Sequence, residues 1–512
     1  MKKERISLLG LVTLLSVFSC THGNEAKPVV VDPDNISFTS DDIIQTKFGG
    51  LGVEWGAYED TDKIAEGGWE RVINYMDHLQ AARIRLMINY DWFCQDFDNK
   101  GNTDPNDDTW TYNLTNKYAK NMIEILEYCQ THAIDVAFGA WNVIGDLNEG
   151  ADVWNMMEKV TSDPRWAKIT ADMLHFLVHE KGFSCIKWFV NSNEPNFKGT
   201  QETSKNWNNT YEIWQQGVKN VRKALDDIGL TQIGIVGGDA TGFEGIEEYF
   251  TGISKNIPDL VADYGAHLYL SNIAVDRGEM LDSIRMIYDL VKKNDPGIGI
   301  VRDADIWEAG LRDGKTALDC NTLIATPDYA VRMVDFTLQC LAGGVNGIVY
   351  WDFDDAMHFM YNNNSTPTAK EWGMFSSLAE ASSGKQELRP WYHSTSLLTH
   401  LFKKGNLIYS PAQNNTELDN SFRTIATVSP DGKQAGFAAI NAKLSGSTTK
   451  TFYLGDEVEG DKLYIYHFAA DSYRLGDDGF IEPNDIIDGT LNKKITLTIP
   501  SRAVVIVSNT RL

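Results

Sequence analysis

Positive charge is what this 512-residue sequence most lacks: 46 Lys and Arg stand against 71 Asp and Glu, a formal net charge of −25. Nucleic-acid binding needs a cationic face to neutralise phosphates, so the balance argues against that class of partner. It also disfavours strongly anionic substrates, although a local field can override net charge. Long apolar runs are missing as well. The run over 6–18 falls short of the ~18 residues a membrane-spanning helix needs, and no other stretch comes closer. Six cysteines (Cys20, Cys94, Cys129, Cys185, Cys320 and Cys340) form no C-x-x-C, which excludes a disulfide framework and a zinc site of the usual spacing. There is no H-E-x-x-H, and the one H-x-x-x-H, His175 with His179, has no matching acid pattern. No G-x-S-x-G elbow is present, which argues against a serine hydrolase. No propeller or solenoid repeat is visible.

What is present begins at the N-terminus. Lys2, Lys3 and Arg5 precede the apolar run, the pattern of a secretory signal rather than a fold element. The run ends Val17-Phe18-Ser19-Cys20, which resembles a bacterial lipobox. That resemblance implies cleavage before Cys20 and lipidation of Cys20; simple secretion with cleavage nearby is the alternative. Residues 1–19 are then the signal and 20–42 a tether with a possible strand shared with a later domain.

From about residue 48, short apolar runs alternate with longer segments of helical period. The expected strands are 49–55, 82–88, 134–139, 186–190, 232–237, 261–267, a seventh ending at 308, and 347–351. Helices are expected between them and at 391–402. Eight strand-then-helix units argue for an α/β fold, a (β/α)8 TIM barrel over residues 43–402, ahead of a doubly wound open sheet. Gly49-Gly50-Leu51-Gly52 lies before or within the first strand, so it reads as packing or bulge glycine and not as a phosphate turn. Residues 403–512 read as a C-terminal all-β sandwich of short strands and turns such as Pro430-Asp431-Gly432.

Lys187-Trp188-Phe189-Val190-Asn191-Ser192-Asn193-Glu194-Pro195 organises the barrel. Proline cannot donate to a ladder and holds its predecessor out of the helical region. Pairing therefore stops, and Glu194 is presented at a strand's carboxyl end, where barrel chemistry is placed. Glu308, in Trp307-Glu308-Ala309-Gly310, is expected to end strand seven, with small residues after it leaving a turn and space for a ligand. Strands four and seven face each other across a barrel mouth. Two opposed carboxyls are the equipment of glycoside hydrolysis, one protonated to donate and one ionised to attack. The run into Glu308 carries Arg302, Asp303 and Asp305, unusual charge for a barrel strand, so this strand is expected to be short or partly rebuilt.

On Asn193-Glu194-Pro195 and the strand-seven Glu308, the chain resembles the clan A glycoside hydrolases. The resemblance spans about residues 45–400, and a β-sandwich after the barrel is common in the clan. It implies Glu194 as acid/base and Glu308 as nucleophile, in a retaining reaction that needs no cofactor or metal. It implies Asn193 on the sugar 2-hydroxyl, Tyr269 or His267 orienting Glu308, and Arg85 keeping Glu308 ionised. Trp351 would form a sugar platform, with Trp141 and Asn142 on the same rim. The implied partner is a neutral β-linked carbohydrate, a β-glucan before a xylan- or mannan-type glycan. The 14 Trp and 20 Tyr suit sugar faces, and equally an ordinary core. His267 alone could be a bonded core histidine, and Arg85 a structural ion pair. Asp239 reads as a helix cap, Asp352, Asp354 and Asp355 as caps or solvated loop residues ahead of sugar or calcium ligands, and Asp146 and Glu149 as surface charge. The competing function is a glycan-binding surface lipoprotein on a dead barrel, which predicts loss of one of the two glutamates. The membrane contact expected is the lipid anchor, in the outer membrane or at the cell surface; the oligomeric state is left open.

Overall fold

The computed structural model describes residues 34–56, 68–90, 94–98, 100, 104, 106–115, 117–141, 161–197, 210–294, 304–315, 320–355, 359–361, 367–369, 371–376, 388–411, 421–456, 458–469, 472–489 and 493–512. Cys20, Asn142, Asp146 and Glu149 lie outside these residues, as do Arg302 and Asp303.

A parallel sheet closes into a barrel. Its strands are β1 (Gly50–Glu54), β2 (Arg83–Ile88), β3 (Asp135–Ala140), β4 (Ile186–Val190), β5 in two pieces (Gly234–Ile235 and Gly238–Thr241), β6 (Tyr264–Leu270), β7 (Ala304–Leu311) and β8 (Gly347–Tyr350). The sheet counts nine strands because β5 breaks: its first piece pairs with β4 and its second with β6. Joined through Val236 and Gly237, the two pieces complete the ring as one stave, and β8 pairs with β1 on the far side. Helices α1 (Gly68–Leu79), α2 (Lys117–Thr131), α3 (Pro164–His175), α4 (Tyr211–Asp227), α5 (Phe243–Asn256), α6 (Glu279–Asn294), α7 (Pro327–Ala342) and α8 (Pro390–Leu401) each follow one strand. The chain therefore has the (β/α)8 fold.

Side chains alternate along each strand. On β2, Ile84, Leu86 and Ile88 enter the large core between strands and helices, while Met87 joins Ala137, Val190, Val236, Trp307 and Val349 in a separate cluster that fills the barrel. Arg83 shares the inward side. It pairs with Asp305 of β7 at 3.2 Å, and its guanidinium lies over the rings of Trp188 and Trp307 at 5.4 and 5.1 Å. Asp305 is thus neutralised inside the barrel, and β7 is a full eight-residue strand buried throughout. The expectation of a short strand seven is corrected. Glu308 and Gly310 lie within β7, not beyond it. The space beside Gly310 is also taken: a Cβ there would sit 2.8 Å from the Tyr269 ring.

The β domain has a seven-stranded sheet and a three-stranded sheet around their own apolar core. Asn35–Ile36 runs in the smaller sheet and Ile43–Gln45 in the larger, so the chain passes through this domain before entering the barrel. The larger sheet buries both faces: Phe437, Val505 and Val507 pack toward the small sheet, and Ile440, Val504 and Ile506 toward the barrel helices. Arg423 reaches Asp335 of α7 at 2.9 Å, and Arg502 reaches Asp276 at 2.8 Å.

Candidate active site

Six staves, β1, β2, β4, β5, β6 and β7, place polar side chains around one point. Arg85 on β2 is fully buried. Its Nη1 donates to Glu54 Oε2 at 2.5 Å and to Glu308 Oε2 at 3.3 Å; its Nη2 donates to Asn193 Oδ1 at 2.6 Å and to Asp239 Oδ2 at 2.8 Å. One guanidinium thereby ties β1, β4, β5 and β7 together. Its planar fork suits such a role, which a lysine point charge could not fill.

His267 on β6 lies in register with Glu308 on β7, so both point inward. Its Nε2 meets Asp239 Oδ1 at 2.9 Å. Its Nδ1 lies 3.1 Å from Glu194 Oε1 and 3.2 Å from Glu308 Oε2. Tyr269, two residues on along the same strand face, donates its hydroxyl to Glu308 Oε1. Glu194, His267 and Glu308 bring one polar atom each to within 4.8 Å of one another. Such a donor set could hold a cation in outline, but Arg85 already supplies positive charge to it and His267 is committed on both nitrogens.

Burial and charge set the ionisation of these groups. Burial alone would push the His267 imidazole down, but Asp239 and Glu308 raise it to about 10, so it carries a proton at neutral pH. Asp239 is buried too, yet Arg85 and His267 hold its carboxyl below the usual range. Burial raises Glu308, with Glu194 adding to the rise, while His267, Arg85 and the Tyr269 hydrogen bond pull it back down. The expected effect of Arg85 on Glu308 is therefore present, but burial outweighs it. Glu54 is raised to about 8, by burial first, against the pull of Arg85.

Glu194 has φ +39° and Asp239 φ +52°, backbone conformations that side-chain-bearing residues rarely adopt. Each costs on the order of 1–3 kcal/mol, and such strain gathers at functional sites. Pro195 disfavours the right-handed helical region for Glu194 but would leave it extended, so the positive φ is set by the packing around the strand end and not by the proline.

The structure thus brings together Glu194, Glu308, Asn193, Arg85, His267 and Tyr269. His267 and Arg85 belong to the site rather than to a separate core pair. Trp351 and Trp141 meet edge to face at 5.7 Å, with Arg85 over the Trp141 ring at 5.7 Å. Trp351 is only 7 % exposed, so most of the ring proposed as a platform is covered. Sequence reading missed Glu54 and misassigned Asp239, which is a buried partner of Arg85 and His267, not a helix cap. Asp355 is buried and not a solvated loop residue: it clamps Arg389 through both oxygens and accepts the backbone N–H groups of Trp372 and Gly373.

No family model matches the sequence, and neither does any curated protein. Solved structures do match in fold. A monomeric β-xylosidase from Caulobacter crescentus aligns at TM-score 0.60 and 13% identity, over 93% of this chain and 99% of that one. An endo-β1,6-glucanase aligns at 0.59 and 14%, over 94% of each chain. A glycoside hydrolase family 30 subfamily 8 xylanase from Clostridium acetobutylicum aligns at 0.58 and 12%, over 93% and 100%. The chain shares the architecture of these glycoside hydrolase barrels, including the β domain after the barrel. At these identities the likeness is one of fold.

Proposed function

We propose that the chain is a retaining β-glycoside hydrolase acting on a neutral β-linked poly- or oligosaccharide. The observation that carries this is the meeting of Glu194 and Glu308 across one imidazole, with polar atoms of all three residues within 4.8 Å. Retaining enzymes hold their carboxyls about 5–5.5 Å apart, whereas inverting ones need about 6.5–9.5 Å to admit a water. Glu308 attacks the anomeric carbon while Glu194 protonates the departing oxygen, and the glycosidic C–O bond breaks to leave a glycosyl ester on Glu308. Glu194 then takes a proton from water, which attacks the same carbon and frees Glu308. Asn193, held by Arg85, meets the sugar 2-hydroxyl. Tyr269 orients Glu308 and His267 spans the pair. A raised Glu308 moves the acid limb of the rate profile upward.

A β-glucan remains the first substrate to try, then xylan- or mannan-type glycans. Among proteins of like fold, the names xylanase, β-xylosidase and endo-β1,6-glucanase support the glucan and xylan classes. A glycan panel with product chromatography tests the reading. Glu194→Ala and Glu308→Ala should both abolish hydrolysis, azide should rescue Glu308→Ala with inverted product, and the unmodified enzyme should retain configuration. Near-full activity in either variant would sink the assignment. The reading includes export and a lipid anchor on Cys20, supported by the charged, apolar and lipobox-like N-terminus. Labelled palmitate should enter the protein, and Cys20→Ala should prevent it and release the chain from membranes.

A further inference from the structure

Glu54 has no part in the acid/base pair, yet it occupies the same ring of inward-facing residues. It stands in register with Arg85 on the neighbouring strand, and its side chain is completely buried. Its Oε2 takes the shortest of the Arg85 contacts, 2.5 Å, from the same nitrogen that reaches Glu308 at 3.3 Å. Its other oxygen is buried without a hydrogen-bond partner among the described residues. A buried carboxyl satisfied on one side only is costly, so its presence calls for an explanation. Burial also keeps it from touching a substrate directly.

We propose that Glu54 is a positioning residue that acts through Arg85, competing with Glu308 for one guanidinium and so setting how much positive charge Glu308 receives. The inference rests on the proposed glycosidase reading for its kinetic consequence. The charged and titratable groups facing Glu54 are Arg85 on β2, Glu308 on β7, His267 and Tyr269 on β6, and Asp352 after β8. While Glu54 holds its proton, Arg85 serves Glu308, Asp239 and Asn193. When Glu54 ionises, at about pH 8, Arg85 is drawn to it and loosens its hold on Glu308 and Asn193. Activity then falls on the alkaline side for a reason separate from the acid/base residue.

The test uses Glu54→Gln, which keeps shape and acceptor but cannot ionise, and Glu54→Asp, which can ionise but is one methylene shorter. Both are checked for folding by thermal melting. The first readout is kcat/KM against pH on whichever 4-nitrophenyl β-glycoside the enzyme cleaves. The alkaline fall should move up by half a pH unit or more in Glu54→Gln and persist in Glu54→Asp. The second readout needs no turnover: ring NMR of His267, which should titrate at lower pH in Glu54→Gln because a neighbouring negative charge is gone. Profiles that only scale down, with an unmoved His267 titration, would overturn the proposal and leave Glu54 a packing residue. If Glu54→Gln does not fold, Glu54→Asp decides alone: it can still ionise, so its alkaline fall should remain, and disappearance of that fall would overturn the proposal equally. The glycosidase reading fails on different grounds, if Glu194→Ala and Glu308→Ala leave hydrolysis intact.

Discussion

Tyr269 donates to Glu308 from a position that burial makes hard to ionise, so its hydroxyl stays a donor across the working range. A hydrogen bond to a charged group contributes about 1.5–3 kcal/mol. Tyr269→Phe should therefore lower kcat by about 10- to 150-fold. KM should change little, because the bond orients the nucleophile and not the sugar. Steady-state kinetics on an aryl β-glycoside checks this; an unchanged kcat would remove Tyr269 from the mechanism. At this same scale, Glu194, Glu308, His267 and Tyr269 stand out in the sequence because each follows a strongly apolar or aromatic strand pattern. Glu54 carries the same signal, a lone acid closing Gly50-Leu51-Gly52-Val53, but one carboxylate by itself says nothing. Its meaning comes from Arg85, 31 residues away, and that of Asp239 from the same arginine 154 residues away. Pairings of that range depend on strand register, which sequence periodicity does not carry.

The eight strand–helix units were legible because apolar period changes from two to 3.6 at each boundary. Strand limits were less so. The glycines at 234, 237 and 238 obscure where β5 breaks, and β6 runs 264–270 instead of 261–267 because the buried Asp263, bonded to Trp307 Nε1 at 2.7 Å, precedes it. Strand β7 shows the opposite failure. Its charge looked disruptive, yet Asp305 has Arg83 as a buried partner on β2. Gly310 on β7 gives an element-scale prediction. An added Cβ would lie 2.8 and 3.1 Å from two carbons of the Tyr269 ring, so the ring or the strand must shift. Overpacking of this kind costs about 1–3 kcal/mol. Urea unfolding should show Gly310→Ala destabilised by that order, with kcat reduced as the ring leaves Glu308. Against a Tyr269→Ala background the same substitution should cost much less, because the ring that it strikes is gone. Additive costs in that cycle would mean the strain lies elsewhere on β7.

Across the whole molecule, barrel and β domain share one buried seam, and histidines sit in it. His78 of α1 stacks on Phe480 of the β domain with ring centroids 3.8 Å apart, and its ring lies 5.2 Å from that of His400 on α8. His393 of α8 is buried and tilted against Tyr473 of the β domain at 5.5 Å. Burial lowers His78 and His393 to about 4, with a neighbouring histidine adding to the fall in each case. The unfolded chain binds these protons near pH 6.5, the folded one only near 4, so between those values the unfolded state holds more protons. Stability from this seam is therefore complete above about pH 6.5 and is lost as pH falls toward 4. For the well-buried His393 the loss is on the order of 3 kcal/mol, from roughly 1.4 kcal/mol per pH unit. The protein should melt at lower temperature at pH 4.5 than at pH 7. Replacing His393 by Leu, which cannot take up the proton, should narrow that gap while leaving the pH 7 value much less affected. The first sign of acid unfolding should be exposure of the seam itself, read as faster proteolysis between the barrel and residues 403–512. If His393→Leu leaves the pH 4.5 deficit as large as before, the seam does not set the acid limit.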